Sequence, residues 1–173
     1  MRIMFLSSLL LLIGLTHAYS EIDDPIQDYM NTYGVNNNGK ALIRLDADIN
    51  SDGRAEVFLS MKTLVNGKAG NIWTVYVPCE RGYKKLDKLI TFRRDAFLVE
   101  EHPDVGHAAL LAYRPGGGGR GVLVAIQLEN NEIKEEVCGE VDRVELKPES
   151  EANKIVKRVL SKSSLNEIKA VVK

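Results

Sequence analysis

One short stretch of this chain has the residue types and spacing to do chemistry: Asp48-Ile49-Asn50-Ser51-Asp52-Gly53-Arg54-Ala55-Glu56. A calcium ion takes six to eight oxygen ligands from carboxylates, amides and main-chain carbonyls, and a loop supplies them at alternate positions while turning sharply. Counting from Asp48, Asn50 is position three, Asp52 position five and Gly53 position six, where a left-handed backbone is needed. Arg54 offers its carbonyl oxygen at position seven, and Glu56 at position nine closes the set directly or through a water. A polar hairpin turn draws on the same residue types. Three carboxylates in nine residues repel one another without a cation, however, which favours the metal.

The register of the count decides the kind of site. Starting at Asp46 puts Ser51 where glycine is required, so Asp46 belongs to a strand end or an outer position. A helix–loop–helix site needs a bidentate Glu at position twelve. That position is Leu59, within a strand-like run.

The pattern of Asp48, Asn50, Asp52, Gly53 and Glu56 resembles the strand–loop–strand calcium hairpin of FG-GAP and VCBS-type repeats, over residues 41–59 only. Glu56 stands where the usual pattern has Asp. There is one copy, whereas a propeller requires several. The resemblance therefore implies a calcium-clipped β-hairpin and no propeller. A single loop of this kind implies an affinity of about 10⁻⁴–10⁻³ M, suited to a structural clip outside the cell.

Other candidates are weaker. Arg114-Pro115 and Gly116 to Gly119 lead through Arg120 into an apolar β-run, without the Gly-Lys-Ser/Thr of a phosphate loop. His102 and His107 lie among Glu100, Glu101 and Asp104 at a spacing that fits no helix-face zinc motif. No nucleophile motif accompanies them. Glu100-Glu101 and Glu135-Glu136 are adjacent pairs, which a strand sends to opposite faces, and are expected to be solvated. Trp73 and Tyr76 also face opposite sides, one in the core and the other available to a glycan or peptide face.

The elements that position these residues begin after a leader. Arg2, the apolar stretch Ile3 to Leu15 and the small residues Thr16, Ala18 and Ser20 make a secretory signal peptide, cleaved after Ser20 or Ala18. The expected compartment is periplasmic or secreted. The leader takes one of the 23 basic residues and none of the 24 acidic ones, so the mature chain carries a charge of −2. Mixed charge near neutrality gives no reason to expect nucleic acid or a membrane as partner. Cys79 and Cys138 form either a disulfide closing a long loop or two buried thiols.

Residues 21–173 read as one domain. Asp24-Pro25 opens a short helix to Tyr29 or Met30. Strands are expected at 41–45, 56–61, 72–77, 96–99, 108–113, 121–128 and 132–138, with a short segment at 83–86 after the Arg81-Gly82 turn. Helical spacing returns at Ala152, Ile155, Val156, Val159 and Leu160, and again at Leu165, Ile168, Val171 and Val172, the segment 161–173 being a possible mobile tail. The expected class is α+β: an antiparallel, meander-like sheet with a short N-terminal helix and C-terminal helices. The leading expectation is a non-enzymatic exported calcium-binding protein acting as a binding or interaction module toward a protein or glycan. The alternative is a secreted or periplasmic hydrolase or enzyme inhibitor using the glycine-rich loop and the His102–His107 region.

Overall fold

The computed structural model describes residues 21–35, 41–64, 70–94, 96–101, 108–117, 120–142 and 168–169. The expected leader, His102, His107 and most of the expected C-terminal helical segment lie outside them.

The first element is α1 (Pro25–Tyr33). Asp24 caps it by accepting the Ile26 amide at 2.8 Å, with Pro25 at its first position, and Gly34 ends it at φ 64°. All the other regular elements described are strands. The strands β1 (Leu42–Ala47), β2 (Glu56–Met61), β3 (Asn71–Cys79) and β4 (Gly82–Lys85) follow one another as an antiparallel meander. β5 (Ile90–Phe92) lies beside β4 on the same edge of β3, pairing with its first residues while β4 pairs with its last. β6 (Phe97–Glu101), β7 (Ala108–Gly117), β8 (Arg120–Glu129) and β9 (Glu132–Asp142) form a second meander. Asn130 and Asn131 join β8 to β9 with φ of 51° and 61°, the left-handed pair of a two-residue hairpin turn.

Alternation along these strands builds the layers. Ile43, Leu45, Phe58, Trp73 and Val75 face one way from the first sheet. They meet Leu110, Ala112, Val124, Ile126 and Leu128 of the second sheet in one buried core. At its centre Trp73 stacks on Phe92 with ring centroids 4.7 Å apart and 8° between planes, and Phe58 and Phe97 meet Phe92 edge-on. The opposite face of the first sheet carries Leu42, Val57, Leu59 and Tyr76, covered by Tyr29, Ile26 and Met30 of α1.

The α+β expectation is therefore corrected: the protein is mostly β, with two antiparallel sheets and one short helix among the described residues. Ile168, placed by its spacing on a C-terminal helix, lies instead in β10 (Ile168–Lys169). There Ile168 and Lys169 pair antiparallel with Leu45 and Arg44 at the edge of β1. Helical spacing is a weak guide in a segment rich in β-branched residues, because Val and Ile serve a sheet edge equally well. β5 is too short, at three residues, to leave a periodic signal. Glu101 and Ala108, which bracket 102–107, pair at one end of β7, and Gly117 stands at the other. A ten-residue strand separates its ends by about 30 Å, so Glu101 and Gly117 stand at opposite ends of the second sheet.

Candidate functional site

The β1–β2 loop is held by the strands on either side of it and by one apolar anchor. Ala47 and Ile49 are buried and face the inter-sheet core, so Asp48 and Asn50, their alternating neighbours, turn outward. Ser51 and Gly53 then take left-handed backbone at φ 60° and 83°. Only at Gly53 does the turn meet the glycine that makes such a conformation inexpensive.

Backbone amides orient the acidic side chains one by one. The Gly53 N–H donates to Asp48 Oδ2 at 2.9 Å, the Asp52 N–H to Asn50 Oδ1 at 3.0 Å, and the Arg54 N–H to Asp52 Oδ1 at 2.8 Å. The Asn50 amide donates to Asp52 Oδ2 at 3.1 Å. Glu56 differs from the other three. It opens β2 opposite Ala47, so the register turns its side chain to the core side, and it is fully buried. Its Oε2 accepts the Ile49 N–H at 2.9 Å. Its Oε1 has no hydrogen-bond partner, nor has the buried Oδ1 of Asp48.

A buried carboxylate oxygen without a partner is unfavourable by about 1–3 kcal/mol. Burial pushes the Glu56 pKa up to about 7, the Ile49 amide opposes the rise, and the charges of Asp52 and Asp48 add to it. Among the described residues no three His, Cys, Asp or Glu side chains form a group that could hold a metal on their own. A hard cation in this loop would therefore draw also on the Asn50 amide oxygen and the Arg54 carbonyl, both of them oxygen donors of the kind calcium uses.

The Arg54 side chain points away from the acids and donates to the Cys79 carbonyl at 2.5 Å. Asp46 lies within β1 and pairs with Arg44 at 2.8 Å, outside the loop. Leu59 is buried within β2. Ser51 escaped the sequence reading as a contributor: its hydroxyl accepts the Ala108 N–H at 2.9 Å. The burial of Glu56 was legible in principle, since it stands two residues before Phe58 and so shares its face.

The other candidates have structural work. Arg114 donates to the Thr91 carbonyl at 2.7 Å and to Glu135 Oε2 at 2.6 Å, and Lys88 reaches Glu135 Oε1 at 3.0 Å. Glu135 is thus an ion-paired residue rather than a solvated charge, while Glu136 is exposed. Trp73 and Tyr76 do face opposite sides, but both are fully buried, so neither offers a glycan face. The Tyr76 hydroxyl donates to Asp28 beneath α1. Cys79 and Cys138 are half-buried and not joined by a disulfide. Cys79 ends β3 in the first sheet, and Cys138 packs with Leu111 and Tyr113 on the outer face of the second. His102, Asp104 and His107 lie outside the described residues.

No protein-family model, curated protein or solved structure matches this chain.

Proposed function

We propose that this is an exported calcium-binding protein, periplasmic or secreted. In this reading one ion clips the β1–β2 hairpin of a binding or interaction module whose partner is a protein or a glycan. The ligands are side-chain oxygens of Asp48, Asn50, Asp52 and Glu56, with the Arg54 carbonyl. The observation that carries the reading is the pair of buried carboxylate oxygens, Glu56 Oε1 and Asp48 Oδ1, left without partners at the same loop. A divalent cation would give both a partner and offset the burial, and the smaller repulsion from Asp52 and Asp48, that raise Glu56. The similarity to FG-GAP and VCBS-type hairpins supports the same ligand positions, and the leader pattern supports export. Calorimetric titration of calcium into the chelator-stripped mature chain tests it. One site per chain in the range of about 10⁻⁴–10⁻³ M is expected, abolished by Asp48→Ala. Absence of binding, or binding unchanged in the variant, would overturn it.

A further inference from the structure

We infer that calcium in this loop also fastens the second sheet to the first, through the Ser51 hydroxyl on the Ala108 amide; this rests on the calcium reading above. The ligand positions 48, 50 and 52 face the ion, so Ser51, between two of them, must face away. Its left-handed backbone aims the hydroxyl at Ala108, 57 residues on in the chain and the first residue of β7, where it accepts the amide at 2.9 Å. The loop belongs to the first sheet and Ala108 to the second, so the contact crosses between them. Arg54 ties the same loop to the end of β3 at Cys79. The loop is thus fixed at Ser51 and Arg54, with Asp52 between these points and Asp48 and Glu56 on either side of them.

An ion that draws Asp48, Asn50 and Asp52 together fixes the backbone of Ser51 between them. It thereby holds the hydroxyl where Ala108 needs it, and the coupling is reciprocal. The sheets are joined elsewhere by contacts that involve no loop residue, Arg114 to the Thr91 carbonyl and Lys88 to Glu135. Those contacts supply an internal control.

Hydrogen exchange of the full mature chain, followed by mass spectrometry in calcium and in chelator, tests the coupling. In the wild type, calcium should slow exchange severalfold both in peptides covering 48–56 and in those covering 108–112, while peptides covering 88–92 stay unchanged. Ser51→Ala removes the hydroxyl and leaves every proposed ligand in place. Ser51→Gly removes it while relieving the left-handed backbone. In both variants 48–56 should still respond to calcium and 108–112 should not. A calcium response at 108–112 that survives in both variants would overturn the coupling. So would a wild-type response confined to 48–56. If 48–56 itself ignores calcium, the calcium reading fails and the coupling fails with it.

Discussion

Glu56 Oε2 accepts the amide of Ile49 at 2.9 Å, closing the mouth of the β1–β2 hairpin with a carboxylate that is fully buried. The bond is local, but it fixes the direction of the second oxygen, which has no partner. Ile49 is itself a core residue, so the position of the carboxylate is tied to packing between the sheets.

Glu56→Gln separates the charge from the shape. In chelator the variant should be as stable as the wild type or up to about 1 kcal/mol more stable, because a buried charge without a partner has been removed. In calcium it should lose most of the wild-type gain. Urea melts in the two conditions measure this. A loss of about 2 kcal/mol in chelator would mean that the carboxylate is satisfied without any cation.

Two glycines distinguish backbone strain from steric clash. A Cβ at Gly53 meets nothing within 4 Å, so Gly53→Ala should cost only the left-handed backbone, about 1 kcal/mol. A Cβ at Gly70 (φ 115°) would lie 2.5 Å from the backbone of Phe92 and Arg93, so Gly70→Ala should cost clearly more. Thermal melts of the pair in chelator test the order, and a larger loss at Gly53 would contradict it.

Glu135 gives the second sheet a pH dependence. Burial raises its pKa, but Arg114 and Lys88 outweigh burial and hold it below its ordinary 4.5. Its stabilising contribution is therefore present above about pH 4.5 and lost as pH falls through the lowered folded value. Glu135→Gln should melt lower than the wild type at pH 7 and approach it at pH 3. An equal deficit at both pH values would show that the ion pairs do not carry the effect.

The hairpins were legible because each strand alternates or is rich in β-branched residues and each turn has its own chemistry. The limits of β2 and the left-handed turn at Asn130-Asn131 follow directly from local sequence. What stayed hidden was set by packing at a distance. Nothing local shows that Tyr76 lies beneath α1, that Ile168 joins a sheet edge, or that Ser51 meets Ala108. The acidic loop itself was legible as a ligand pattern. The depth of Glu56 came from strand parity combined with a second sheet that the sequence did not announce.

Scanning calorimetry of the mature chain in 10 mM calcium and in chelator, with Asp48→Ala and Asp52→Ala beside the wild type, tests the central claim. For a site of about 10⁻⁴ M, linkage predicts a gain of about 2.7 kcal/mol. In a chain of this size that raises Tm by roughly 5–10 °C. The account predicts this shift in the wild type and its loss in both variants. Identical melting of the wild type in the two conditions would contradict it.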